Sequence, residues 1–155
     1  MSQTATHRGF SSYLGYYSGA EEHFTHKKAG CGTNQFDLAN STGLNGPVTH
    51  AADALVGNNG VYSVHLYGNE SVRFIRAHDP DVPLYMYTAW NVVHAPCEAP
   101  QHYIDRHAAI KDLGRRKFAG MLSSLDEAIP QVVDALKERG MWNNTVFIVT
   151  TVRAL

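Results

Sequence analysis

The chain has little of what would place it in a specialised class of protein. It contains only two cysteines, Cys31 and Cys97, which are too few for a disulfide scaffold and could pair, stay free or bind a metal. No apolar run approaches the roughly 20 residues that cross a bilayer, and residues 1–6 lack the apolar core of a signal peptide. The net charge of −1 gives no electrostatic basis for binding nucleic acid. We therefore expect neither a membrane span nor a nucleic-acid partner.

The composition is that of a folded domain or of a part of one. Of the 155 residues, 44% are hydrophobic and 17% are charged, which suits a packed core and argues against disorder. Residues 1–60 are rich in Gly, Ser, Thr, Asn and His without a sustained period, which predicts a loop-rich region with short elements. Residues 62–152 show regular patterns, which predict the order helix, strand, helix, strand.

The regular half of the chain predicts one βαβ unit. Apolar residues at three- and four-residue steps predict helices over 63–77 and 115–139, the second with a kink at Pro130. Two apolar segments, 84–90 and 145–151, are typical of strands covered on both faces, as in a parallel sheet. The fold class is therefore α/β, with parallel strands joined by a crossover helix. Because two such strands need further neighbours, we predict that the chain is part of a larger domain.

His94 is the best-placed residue for chemistry in this half of the chain. It follows the first predicted strand and stands between apolar residues and Pro96. In open α/β sheets, functional sites lie beyond the carboxyl ends of the strands, and an imidazole titrates near neutral pH. The alternative is a loop histidine that only forms a hydrogen bond with the backbone.

Four segments, in order along the chain, resemble the arylsulfatase family, most closely its N-acetylgalactosamine-4-sulfatase (arylsulfatase B-like) branch. They are residues 6–19 with HRGF and LGYY, 78–96 with LYMY and HAP, 118–127 with FAGM and LDE, and 140–148 with GMWNNTVFI. The resemblance implies an alkaline-phosphatase-like sulfatase domain. Residues 1–155 would form an internal part of that domain, truncated at both ends.

By this resemblance, the complete protein hydrolyses sulfate esters of small molecules or glycans. The family uses a formylglycine made from the cysteine of a C-x-P-x-R motif, and a calcium ion held by carboxylates and an asparagine. His94 matches the family's active-site histidine, which contacts the sulfate or protonates the leaving group. The family also implies a lysosomal or secreted protein, in which the sequons at Asn40, Asn69 and Asn143 are candidate glycosylation sites.

Parts of the family's machinery have no counterpart in this sequence. Cys31 and Cys97 both lie outside a C-x-P-x-R context, so neither is assigned as the nucleophile. Thr151 is followed by Val-Arg-Ala-Leu where the family has Asp-Asn-Gly, and Ser11 replaces the aspartate that follows HRGF. We therefore assign no metal ligand and predict that this chain alone is inactive. His94 is its single catalytic and substrate-binding candidate.

Two other hypotheses stay open. The chain could be a catalytically dead sulfatase-like protein that binds sulfated glycans, with the basic residues 115–117 as a contact or as a solvated helix start. It could also be a non-enzymatic metal-binding module. The ligands of that module would be His23, His26 and Cys31, or His102 and His107.

Overall fold

The chain divides into a part with short strands and a part with helices. The computed structural model describes residues 3–28, 35–50 and 60–151. Its strands are β1 (Ser12–Gly15), β2 (Lys27–Lys28), β3 (Gln35–Phe36), β4 (Ala39–Thr42) and β5 (Thr49–His50). Its α-helices are α1 (Ser63–Ala77), α2 (Gln101–Asp105) and α3 (Leu113–Glu138), and short 3-10 helices lie at Ala5–Arg8 and Trp142–Asn144.

The strands form two small antiparallel sheets. In the larger sheet β4 lies between β1 and β5, and in the smaller one β2 pairs with β3. Ser12 is opposite Thr42, and Ala39 pairs with Gly15 on one side and with His50 on the other. Both sheets lie within residues 1–60, the region that the sequence predicts to be rich in loops.

The long helix α3 begins two residues before its predicted start. The Asp112 carboxylate accepts a hydrogen bond from the backbone N–H of Arg115 at 2.8 Å, which caps the helix at Leu113. Pro130 lies inside α3 on its exposed side, and α1 occupies the range 63–77 that the apolar pattern predicts. Among the described residues, no helix is both long and apolar enough to cross a membrane.

The predicted parallel strands are not formed. Segments 84–90 and 145–151 contain no strand, and every strand pair in the described part of the chain is antiparallel. A strand requires ladder hydrogen bonds to a neighbour, and neither segment has one within this part. Most of their apolar side chains are exposed, with Tyr85 75% exposed, Val146 88% and Ile148 79%, whereas Met86 and Trp90 are partly buried and pack against the core. The α/β class is right, but the βαβ unit is wrong for these residues.

The contact between α1 and α3 organises the core. Val64 of α1 and Met121 of α3 are both fully buried and belong to one hydrophobic cluster. Gly68 of α1 and Ala128 of α3 also lie at this contact, where a Cβ placed on Gly68 would be in ordinary van der Waals contact with the Ala128 Cβ at 3.5 Å. The first turn of α1 is therefore held firmly against α3.

Met121→Ala is expected to lower the free energy of unfolding by about 2–5 kcal/mol, because it leaves a cavity at a fully buried position. Leu122→Ala, at an exposed position of the same helix, is the matched control and should cost less than about 1 kcal/mol. Urea unfolding followed by circular dichroism measures both values. Equal losses for the two variants would contradict the structure's placement of the core.

Candidate functional site

His94 lies on an exposed loop between Asn91 and Glu98. Its Nδ1 is 2.7 Å from the carbonyl oxygen of Ala95, so Nδ1–H donates to that oxygen in the neutral ring. Its Nε2 has no hydrogen-bond partner among the described residues. The backbone N–H of His94 donates to the Asn91 carbonyl at 3.2 Å, which closes a turn. The ring is thus tied to the backbone at one nitrogen and presents the other outward.

The same loop is anchored by the buried residue His23, which is 1% exposed. His23 Nε2 lies 3.3 Å from the carbonyl oxygen of His94, and the His23 backbone N–H donates to the Glu98 carboxylate at 2.8 Å. The phenol of Tyr62 donates to the Glu98 carbonyl at 2.9 Å. The loop is therefore held at its middle and at its far end by residues outside it.

Ser63 connects His23 to the beginning of the loop. Its Oγ lies 3.0 Å from His23 Nδ1 and 3.0 Å from Asn91 Oδ1. Ser63 is the first residue of α1, and the residue before it, Tyr62, has no side-chain capping bond. The Ser63 hydroxyl thus serves the buried network, although its position in the sequence suits a helix cap.

Burial lowers the pKa of His23, against the opposing effects of the His94 carbonyl and of the Glu98 and Glu21 carboxylates. The ring is therefore neutral at neutral pH. In that state Nε2–H donates to the His94 carbonyl, and Nδ1 is an acceptor. A neutral imidazole with both nitrogens engaged is a structural group here, and the free imidazole nitrogen of this loop belongs to His94.

The residues of the metal-binding hypothesis are not brought together in the described part of the chain. His26 is fully buried; its Nε2 lies 2.9 Å from the Val61 carbonyl, and its Nδ1 is 3.9 Å from a Glu21 oxygen. His107 Nε2 lies 2.8 Å from Ser123 Oγ. Cys31 lies outside the described residues. Within residues 3–28, 35–50 and 60–151, no group of three or more His, Cys, Asp or Glu side chains is placed to hold a metal.

The polar groups of a second cluster, between α1, α2 and α3, form their hydrogen bonds and ion pair with one another. The phenol of Tyr103 donates to Glu127 at 2.7 Å and lies 3.3 Å from His65 Nε2, while Arg106 pairs with Glu127. Burial raises the pKa of Tyr103 to about 12, and the bond from Arg106 lowers the pKa of Glu127. The cluster lines a cavity of about 290 Å³, and its charges are already paired.

The remaining sequence candidates are scattered over the surface. Cys97 is a free, exposed thiol three residues beyond His94. Of the sequon asparagines, Asn69 and Asn143 are exposed and Asn40 lies partly buried in β4. Sequence reasoning finds His94 but misses the Ser63 and Asn91 contacts, because their partners are 28 to 40 residues away along the chain.

Stability is expected to fall as the pH drops below about 6.5, the usual value of histidine. The unfolded chain takes up a proton on His23 there, whereas burial keeps the folded ring neutral to lower pH. Burial lowers the pKa of His65 as well and adds a change of the same sign. Urea unfolding between pH 7.5 and 5.5 should therefore show a shallower loss for His23→Gln than for the unchanged protein.

The matched control for this measurement is His102→Gln, whose ring lies on the surface. Parallel pH curves for His23→Gln and the unchanged protein would contradict a neutral, buried His23.

Comparison with known proteins gives one consistent result. Over 147 residues the chain is 35% identical to Arylsulfatase J of Mus musculus. The aligned region covers 92% of this chain and 23% of that protein. The crystal structure of Ps i-CgsB in complex with k-i-k-neocarrahexaose matches it with a TM-score of 0.69 at 23% identity, over 92% of this chain and 32% of that one. A second crystal structure of Ps i-CgsB matches with a TM-score of 0.68 at 24% identity, over 92% of this chain and 32% of that one.

The chain thus spans about a quarter to a third of the length of these relatives. Both structural matches lie below 25% identity and bear on the fold alone. The family is shown by sequence, since the Sulfatase family model matches residues 1–151. This chain belongs to the sulfatase family.

Proposed function

We propose that the chain supplies the His94 loop to the active site of a sulfate ester hydrolase. The observation that supports this most is that His94 presents an unpaired Nε2 on a loop anchored by buried residues, within a chain of the sulfatase family. A sulfated small molecule or a sulfated glycan is the proposed substrate of the complete enzyme. An N-acetylgalactosamine-4-sulfatase-like branch is proposed from the sequence resemblance alone.

The geometry supports a role for His94 in proton transfer. With Nδ1–H bound to the Ala95 carbonyl, the free Nε2 is the nitrogen that can accept a proton and then donate it to a sulfate oxygen or a departing alkoxide. Such proton transfer is typically worth about 10²–10⁴ in rate. An imidazolium also offers positive charge to the sulfate group.

Calcium and formylglycine, which the family implies, do not fit the residues described here. No three acidic, histidine or cysteine side chains come together in the described ranges, and Cys97 is followed by Glu-Ala-Pro rather than by the motif of the nucleophile. We therefore derive no step through either group. Both belong to the proposed complete enzyme, and the 155-residue chain is proposed to be inactive by itself.

The exposed apolar segments support the proposal that residues 1–155 form part of a larger domain. Residues 84–90 and 145–151 have the composition of interior strands, yet most of their apolar side chains, such as Tyr85, Val146 and Ile148, are exposed. Interior strands bury both faces when neighbouring strands and helices cover them. We propose that further sulfatase sequence pairs with these two segments and completes the sheet.

A catalytically dead, glycan-binding protein is the second candidate. An exposed imidazole on a fixed loop can bind a sulfate group without turning it over, and the side chain of Arg115 at the start of α3 is also exposed. In the first candidate His94 increases the rate of hydrolysis, whereas in the second it contributes only to the affinity for the sulfate group.

A chimera separates these candidates. In it, residues 1–151 replace the matching segment of mouse Arylsulfatase J, and hydrolysis of an aryl sulfate is measured. We expect activity, and a loss of about 10²–10⁴ in kcat for His94→Ala, because a positioned acid is removed. His102→Ala is the control, with an exposed ring away from the loop. An active chimera whose rate is unchanged by His94→Ala would contradict the proposed role.

The isolated chain is expected to show no turnover of the same aryl sulfate, with or without added calcium. The physical reason is that neither cysteine lies in the C-x-P-x-R context of the family's nucleophile, and that no metal-holding group of side chains comes together in the described residues. The assay compares the purified chain with its His94→Ala variant, which controls for contaminating enzyme. Turnover that disappears in His94→Ala would overturn the prediction of inactivity.

The double variant Val146→Asp/Ile148→Asp tests the proposed strand. In the isolated chain it should change the free energy of unfolding by less than about 0.5 kcal/mol, because both side chains are largely exposed. In the chimera it should abolish soluble expression, because two charges would enter a sheet interior. Thr42→Asp, at an exposed end of β4, is the control. Soluble, active chimera carrying the double variant would rule out an interior strand at 145–151.

A further inference from the structure

We infer that His23 is a positioning residue for His94. Its imidazole holds the carbonyl of His94 directly and the side chain of Asn91 through Ser63, and so fixes the loop that directs the His94 ring. This inference rests on the proposed function only in taking His94 as the site residue. The contacts themselves stand independently of what the site binds.

All four polar groups of His23 serve the loop or the helix start that supports it. Its backbone N–H donates to Glu98 at 2.8 Å, and its carbonyl accepts the Ser63 N–H at 2.8 Å. Its two ring nitrogens lie 3.0 Å from Ser63 Oγ and 3.3 Å from the His94 carbonyl. A side chain that only filled space at this buried position would be apolar, because a buried imidazole costs free energy unless it is hydrogen-bonded.

The supports of the loop converge on two consecutive residues. Tyr62 binds the Glu98 carbonyl and Ser63 binds Asn91, so one helix start contacts both ends of the loop. His23 adds the contact at the middle, on the residue whose ring faces solvent. The ring of His94 takes its direction from its own loop backbone, through Nδ1–H and Ala95. A shift of this backbone therefore turns the ring.

The number of available protons determines which groups of this network donate a hydrogen bond and which accept one. Ser63 has one hydroxyl proton, and two candidate acceptors, His23 Nδ1 and Asn91 Oδ1, lie 3.0 Å from it. The Asn91 amide nitrogen is buried with no partner, and the two ends of an amide are interchangeable by rotation. With that nitrogen turned to Ser63 Oγ, one unbroken chain of donors runs from Asn91 through Ser63 and His23 to the His94 carbonyl. His23 then carries its proton on Nε2.

The experiment measures the loop directly. The chain is labelled with ¹⁵N, and two-dimensional NMR records amide hydrogen exchange and the long-range imidazole signals that report the tautomer. In the unchanged protein we expect His23 as the Nε2–H tautomer and His94 as the Nδ1–H tautomer. His23→Phe should speed exchange of the His94 amide by about tenfold or more, with less than about a twofold change at the centre of α3. The His94 ring should then report a mixture of tautomers.

Two variants complete the test. His23→Gln is the conservative rescue, since its amide can donate to the His94 carbonyl, and it should return exchange to within about threefold of the unchanged protein. His26→Phe is the matched control, because His26 is equally buried but contacts Val61 instead of the loop. Should His23→Phe fail to fold, Ser63→Ala provides the same readout, with loosening expected at Asn91.

The inference is overturned if His23→Phe loosens α3 as much as the loop, if His26→Phe has the same effect on the loop, or if the His94 tautomer is unchanged. No sulfate ester enters this experiment. Failure of the inference is therefore distinct from failure of the proposed function, which the activity of the chimera decides.

Discussion

The packing of α1 against α3 is the constraint on which the rest of the described structure depends. Val64 of α1 and Met121 of α3 are fully buried and share one hydrophobic cluster with Ala128. This contact fixes the first turn of α1 in position. Everything that holds the His94 loop is attached to that turn or to residues that contact it, so the geometry of an exposed loop is set by a buried helix pair.

Local patterns predict the helices well and the strands poorly, for a physical reason. A helix closes its hydrogen bonds within its own sequence, so the apolar period of α1 and α3 is sufficient evidence for each. A strand forms its hydrogen bonds with a partner strand, which the local sequence pattern does not identify. Segments 84–90 and 145–151 have strand composition but no described neighbour, and the short strands β1 to β5 lie where no period is visible.

The candidate site divides in the same way. His94 can be found from its place after an apolar segment and from the sulfatase-like residues around it. His23 and Ser63 cannot, because a local reading assigns them ordinary roles, a metal ligand and a helix cap. Their actual partners are distant in sequence and near in space. Sequence reasoning thus identifies the proposed site residue more readily than the residues that hold it in place.

Pro130 has a consequence for the shape of the long helix. Proline has no N–H, so the carbonyl of Asp126, four residues earlier, has no partner within α3. Both residues lie on the exposed side, where water can hydrate that carbonyl. Hydrated carbonyls tilt outward and lengthen the solvent side of a helix, which becomes convex. We therefore expect the proline to bend α3 with its convex side toward solvent and its concave side toward the core.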